Sequence, residues 1–170
     1  MKDIKKDNLY KSNFPKNHKF TFNSDVANVF GDMVNRSVPG YEFLIENIGV
    51  LSKKFYQPNT KIYDLGSSLC ACSLSILEKV QNTEVQIYAV DSSKAMIDIC
   101  KKSIDRKEIK FINSDISDVE MNNSSIVILN LTLQFILVKK RTELLKKIFS
   151  QLNNNGIIII TEKIKLDKIS

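Results

Sequence analysis

From Pro58 onward the chain alternates short apolar runs with segments of helical periodicity, and no other feature limits its fold so closely. The runs are Lys61–Leu65 (KIYDL), Val85–Val90 (VQIYAV), Ile109–Asn113 (IKFIN), Ser125–Leu131 (SIVILNL) and Gly156–Thr161 (GIIIIT). They are continuously apolar instead of alternating with polar residues, as parallel strands covered on both faces must be. The segments Leu69–Val80, Lys94–Ile104 and Lys139–Leu152 between them carry helical spacing and supply the crossovers. The expected fold class is therefore α/β, a doubly wound, mostly parallel sheet with five strands present. Asn153-Asn154-Asn155-Gly156 reads as a turn into the last strand.

Upstream the pattern differs. Residues 1–20 are polar and lysine-rich with Pro15, which predicts an irregular N-terminal arm. Asn23 or Ser24 can cap a helix with apolar positions Val26, Val29, Phe30, Met33 and Val34, ending before Pro39-Gly40. A second helix is expected from Tyr41 to Phe55, with Phe43, Leu44, Ile48 and Leu51 marking its inner face. The division is then 1–20 arm, 21–57 helical extension and 58–170 sheet core. A length of 170 residues with 43% hydrophobic content suits one globular domain. No apolar run approaches the roughly 20 residues of a membrane-spanning helix, and residues 1–19 lack a secretory pattern, so the expected location is cytoplasmic with no membrane partner. Cys70, Cys72 and Cys100 have neither metal-site nor redox spacing and read as reduced thiols; no metal site is expected.

A net charge of +6 and a pI near 9.1 invite a nucleic-acid reading. The residue usage argues against it. Lysine occurs 22 times against three arginines, and isoleucine (22) and asparagine (16) are also abundant, the joint bias of AT-rich codons. The lysines are spread along the chain with no aromatic-interleaved basic stripe, so direct tRNA or other nucleic-acid binding is not expected.

In an open parallel sheet, ligands bind beyond the carboxyl ends of the strands. Tyr63-Asp64-Leu65-Gly66-Ser67-Ser68 closes the first run, Asp91-Ser92 the second, Ser114-Asp115-Ile116 the third and Asn130-Leu131-Thr132 the fourth. Gly66 permits a tight turn and close backbone approach to a ligand. Asp91 stands where an acidic side chain accepts hydrogen bonds from ribose hydroxyls. Asp115 can accept from an adenine amino group while the Ile116 amide meets a ring nitrogen, and Asn130 offers both donor and acceptor. There is no G-x-x-x-x-G-K-[ST], and the turn at Gly66 lacks the further glycines that admit a pyrophosphate, which argues against nucleotide triphosphates and dinucleotides.

The segments Phe30–Tyr41 (FGDMVNRSVPGY), Tyr63–Leu69 (YDLGSSL), Asp91–Ile97 (DSSKAMI) and Leu129–Phe135 (LNLTLQF), with Thr161-Glu162-Lys163 after the last run, resemble the carboxy-S-adenosylmethionine synthases. These belong to the class I S-adenosylmethionine-dependent methyltransferase superfamily, whose cores are Rossmann-like. Other methyltransferases share the strand-end pattern but not the R-S-V-P-G-Y segment. The resemblance implies transfer of a carboxyl group from prephenate to the methyl carbon of S-adenosylmethionine, giving carboxy-S-adenosylmethionine and phenylpyruvate. A separate enzyme then uses the product to modify a tRNA wobble uridine. It also implies a homodimer, and cofactor contacts from Tyr41, Gly66, Ser67, Ser68, Asp91, Ser92, Asp115, Ile116 and Asn130. No side chain is nominated as catalytic base; His18, the sole histidine, lies in the arm.

Two departures accompany the resemblance. Cys70 stands where the family carries a second glycine and is expected to crowd the methionine end of the ligand. The chain is also expected to be C-terminally truncated, without the last two strands of a seven-stranded sheet and the arginine that pairs with the transferred carboxylate; Arg36, Arg106 and Arg141 lie elsewhere in the pattern. The alternatives are an ordinary S-adenosylmethionine-dependent methyltransferase acting on a small molecule or tRNA, and a non-catalytic remnant that retains S-adenosylmethionine binding.

Overall fold

The computed structural model describes residues 24–164, so the expectations for the arm, for Asn23 as a cap and for His18 lie outside the described residues. Two helices, α1 (Ser24–Ser37) and α2 (Tyr41–Phe55), precede β1 (Lys61–Leu65), α3 (Ala71–Val80), β2 (Gln86–Asp91), α4 (Lys94–Ser103) and β3 (Ile109–Asn113). A 3-10 turn at Ile116–Asp118 leads to β4 (Ser124–Asn130), another at Leu133–Phe135 to α5 (Val138–Gln151), and β5 (Leu152–Thr161) follows. The five strands form one sheet in the order β3-β2-β1-β4-β5, every neighbouring pair parallel. This is the Rossmann-like architecture expected from the alternation of apolar runs and helices.

The pleat sorts the core into two layers. Ile62, Ile87, Ala89, Ile126, Ile128 and Ile159 point to the face covered by α2, α3 and α4, where Ile48, Ile76 and Cys100 meet them. Tyr63, Leu65, Val90, Val127 and Leu129 point to the other face, covered by Leu144 and Ile148 of α5 and by Ile116, Val119 and Met121. Every residue of β4 from Ser124 to Leu129 is buried, which explains why its run is continuously apolar after the two serines. Each fully buried Ile or Leu contributes about 1.5–3 kcal/mol.

Two local expectations are corrected. Phe43 and Leu51 of α2 are exposed, at 72% and 41%, and the buried positions are Ile48, Gly49 and Ser52. The cause is the contact with α3: a Cβ on Gly49 would lie 2.4 Å from Ser75 Oγ, so the glycine face turns inward and rotates Phe43 out. The Asn-rich segment is not a turn before the last strand but a bulge within it. Ser124 pairs with Leu152 and Ile126 with Ile157, so one residue of β4 spans four of β5, with Asn155 at φ 63°. Of the four isoleucines that follow, Ile159 is buried, Ile157 and Ile158 are half-buried and Ile160 is exposed.

The chain reverses its winding between β1 and β4, and the carboxyl ends of these strands are held together by side chains. Thr132 Oγ1, just past β4, donates to the Leu65 carbonyl at the end of β1 (2.8 Å). Gly66 adopts φ +77°, and a Cβ there would lie 2.6 Å from Thr132 Oγ1. Its glycine is therefore required twice, by conformation and by the threonine packed against it. Gly66→Ala is expected to destabilise the protein by about 1–3 kcal/mol. Thr132→Ala removes the clashing atoms and should recover part of that loss in the double variant. Urea denaturation of both single variants and the pair measures the coupling; strictly additive losses would mean that the contact does not set the requirement.

Candidate functional site

Where the winding reverses, a cavity of about 380 Å³ opens at the strand ends. All nine residues singled out from the sequence line it: Tyr41 from α2, Gly66, Ser67 and Ser68 after β1, Asp91 and Ser92 after β2, Asp115 and Ile116 after β3, and Asn130 at the end of β4. Phe30, Met33 and Val34 of α1 form an apolar wall over it.

Gly66, Ser67 and Ser68 form the floor at the head of the loop that runs to Cys70, and the loop's shape is unusual. Gly66, Ser68 and Cys70 all have positive φ, 77°, 49° and 64°. A non-glycine residue held there costs on the order of 1–2 kcal/mol, so the conformation must be imposed by bonds. The Gly66 and Ser67 amides both donate to the Val90 carbonyl (2.8 and 2.9 Å), and the Cys70 amide to Ser67 O (2.7 Å). The Ser68 amide donates to Asp91 Oδ2 (2.8 Å), while Asp91 Oδ1 accepts from the Ser93 amide (2.7 Å). Asp91 thus fixes the loop and the start of α4 while facing the cavity. Burial pushes its carboxyl above the ordinary range, and the two backbone bonds oppose that shift.

Asp64, quoted in the strand-end motif but given no role there, is the residue that strand-end reasoning passed over. It is wholly buried on the α3 side of β1, accepts from the Ser73 amide (3.1 Å) and hydroxyl (2.6 Å), and lines the cavity. Since Cys70 offers no side-chain cap, Asp64 serves the exposed amides at the start of α3 from across the loop. Burial pushes its carboxyl up to about 6, the Ser73 bonds lower it, and Asp91 raises it further. Tyr41, in the same cavity, is also pushed upward by burial, then by Cys72 and Asp64, so its hydroxyl stays protonated as a donor.

The other side is tied more firmly than sequence suggests. Asn130 Nδ2 donates to Cys72 Sγ (3.4 Å), and Asn130 Oδ1 accepts from the Thr161 hydroxyl. Glu162 Oε1 accepts from the Leu133 amide (2.6 Å), clasping the end of β5 to the loop after β4. Asp115 Oδ1 accepts from the Ser117 amide (2.8 Å) as the cap of its turn. Lys163, quoted in the segment after the last run but given no role there, also lines the cavity.

Cys70 departs from expectation. Its thiol does not line the cavity; it turns beneath the loop, fully buried, with its sulfur 3.2 Å from that of Cys100 on α4. The left-handed backbone aims the side chain into the core, so the expected crowding of a ligand does not arise. The three cysteines are free and buried, and burial pushes the Cys72 thiol up.

Residues 62–156 match the family model described as "Methyltransferase domain". The chain is 42% identical over 166 residues to the carboxy-S-adenosyl-L-methionine synthase of Shewanella piezotolerans, covering 95% of this chain and 68% of that protein. It is 40% identical over 166 residues to the enzyme of the same name from Salmonella paratyphi C, covering 95% and 67%. Among solved structures, a Methanococcus maripaludis protein assigned to the S-adenosyl-L-methionine-dependent methyltransferases superposes with a TM-score of 0.65 at 21% identity, over 88% of this chain and 68% of that one. That likeness is one of fold.

The buried Asp64 carries a pH signature. Burial raises its carboxyl from the ordinary 3.8 to about 6, so between these values the folded state keeps a proton that the unfolded chain has released. Folding is consequently weakened as pH rises through roughly 4 to 6, by on the order of 2–3 kcal/mol. Asp64→Asn keeps an oxygen for Ser73 but cannot ionise. Its stability relative to wild type, read from urea denaturation, should rise by about 2 kcal/mol between pH 4 and pH 7; a constant difference would show that Asp64 titrates normally.

Proposed function

The chain belongs to the carboxy-S-adenosyl-L-methionine synthase family, a group of transferases on the methyltransferase fold, and we propose that it carries out that synthesis at the strand-end cavity, with prephenate as the carboxyl donor. The observation that carries this reading is the charge of the cavity floor. Asp64 and Asp91 are both held above the ordinary carboxylate range by burial. A cationic, hydroxyl-bearing ligand relieves that cost, and S-adenosylmethionine brings a sulfonium, an ammonium and a ribose diol.

The residues present fit it. Ser67 Oγ is buried on the cavity lining without a hydrogen-bond partner, the kind of atom a polar ligand satisfies. Asp91 has lone pairs left on both oxygens for the ribose hydroxyls, Asp115 and the Ile116 amide meet the adenine edge, and the Gly66–Ser68 loop lies along the methionine portion. Tyr41 donates its hydroxyl, and Asn130 is held by Cys72 and Thr161 at the reactive end. S-adenosylmethionine supplies a methyl carbon made acidic by its sulfonium charge. The chain's own task is orientation and exclusion of water, for which Phe30, Met33 and Val34 supply the apolar wall.

In this reading the chain works in the cytoplasm as a homodimer and meets small molecules only; its product is used on tRNA by a separate enzyme, and it binds neither tRNA nor membrane itself. Among the described residues no helix is long and apolar enough to cross a membrane. The match of residues 62–156 to the general methyltransferase model favours, as a second reading, an ordinary methyl transfer. Incubation with S-adenosylmethionine, with and without prephenate, separates the two. Carboxy-S-adenosylmethionine detected by mass spectrometry only when prephenate is present supports the synthase, and its absence refutes it. Asp91→Ala is expected to weaken S-adenosylmethionine binding by about 1.5–3 kcal/mol in calorimetry. Unchanged affinity would remove Asp91 from the ribose site.

A further inference from the structure

Cys70 and Cys100 stand thirty residues apart without redox spacing, yet the fold brings them into contact. Their sulfurs lie 3.2 Å apart, one at the end of the loop that begins at Gly66 and the other on α4, and both side chains are buried. Neither lines the cavity. Cys72 is separate from the pair: it does line the cavity and accepts from Asn130 Nδ2.

Two thiols can meet simply as small apolar groups, so contact alone decides nothing. Their place in the loop does. The Cys70 thiol donates to Cys100, and the Cys100 thiol donates to the Ser68 carbonyl at 3.3 Å. The same Ser68 gives its amide to Asp91 (2.8 Å), the residue proposed to hold the ribose. A chain of thiol bonds thus ends on the residue that grips Asp91. A sulfur–sulfur bond would alter that chain in two ways. The sulfurs must close to about 2.05 Å, which draws Cys70 toward α4, and both S–H protons leave, which strips the Ser68 carbonyl of its donor. With positive φ already held at Gly66, Ser68 and Cys70, the loop has little slack to take up the change.

We infer that Cys70 and Cys100 form an oxidisable dithiol beneath the cofactor loop, and that its disulfide weakens S-adenosylmethionine binding by shifting the grip of Ser68 on Asp91. The effect on binding rests on the proposed use of the cavity; formation of the bond does not. The oxidant is a peroxide. One sulfur attacks a hydrogen peroxide oxygen, the O–O bond breaks, and the thiol proton leaves with the hydroxide as water. The second sulfur then attacks the sulfenic sulfur, the S–O bond breaks, and the hydroxyl leaves with the second proton as another water. The sulfurs are oxidised and the peroxide is reduced. The contact with Cys100 and burial push the Cys70 thiol up, so it keeps its proton while the loop is closed and reacts when the loop opens. Bound S-adenosylmethionine should therefore slow the oxidation, since coupling between two sites is reciprocal.

The test treats the whole folded chain with hydrogen peroxide, reads its intact mass after unfolded thiols are alkylated, and measures S-adenosylmethionine affinity by calorimetry before oxidation, after it, and after reduction with dithiothreitol. The wild type is expected to lose two hydrogens, to bind about five-fold or more weakly, and to recover on reduction. Saturating S-adenosylmethionine should slow the loss of hydrogens. Cys70→Gly, a residue suited to that left-handed position, should keep its hydrogens and its affinity through the same treatment, with its unfolding midpoint confirming the fold. No bond in the folded wild type overturns the pairing, as does a bond that persists in Cys70→Gly and so involves Cys72. A bond that tightens binding, or leaves it within about two-fold, overturns the control. A reduced wild type that fails to bind S-adenosylmethionine removes the proposed function, and the control with it, while the mass still decides the pairing.

Discussion

The site depends on a carboxylate that is expensive to bury. Asp64 sits at the penultimate position of β1, with its side chain on the layer shared with α3, and there it accepts both donors of Ser73. Taking a carboxylate out of water costs several kcal/mol unless its lone pairs are engaged. Ser73 supplies that engagement and so fixes where α3 begins. With the end of β1 and the start of α3 both pinned, residues 66–70 must close a short gap, and they do so through three left-handed conformations. Asp91 repeats the arrangement one strand over, gripping Ser68 and Ser93. One buried and one half-buried carboxylate therefore build the loop and also set the electrostatic character of the cavity above it.

How much of this could be read from the chain follows from what determines each part. Strand order and the side on which ligands bind follow from short apolar runs joined by helices, a pattern independent of any one contact. Tyr41, Gly66, Asp91, Asp115 and Asn130 therefore fall around one cavity although they are far apart in sequence. Features that depend on a specific tertiary neighbour were not legible. The inward face of α2 is chosen by Gly49 against Ser75, a contact that periodicity cannot reveal, and Phe43 was placed inside for want of it. The asparagine run looks like a turn by composition, yet parallel pairing with β4 continues on both sides of it.

Cys70 shows how a substitution at a glycine position can be absorbed. Cys70 adopts a left-handed backbone, at φ 64°, and its side chain is directed away from the cavity toward Cys100, whose own thiol donates to the Ser68 carbonyl. The cost is backbone strain on the order of 1–2 kcal/mol. It is offset in part by burial of the thiol, a small apolar group that needs no strong partner. A lysine or glutamate at the same place could not be treated so, because its charge would enter the core unpaired.

Charge distribution also explains how a lysine outside the strand-end pattern comes to line the cavity. Carboxylates at strand ends arise from the sheet itself, since each strand delivers one short polar residue to the same edge, as Asp64, Asp91 and Asp115 illustrate. A cation that faces them must come from another direction, from a chain segment that has already left the sheet. Lys163 meets that requirement: it lies two residues beyond β5 and is anchored on the carboxyl end of α1. Its place depends on α1 lying across the strand ends and on Glu162 taking the Leu133 amide. The approach of Lys163 to the cavity therefore rests on the packing of α1, an element far from β5 in sequence.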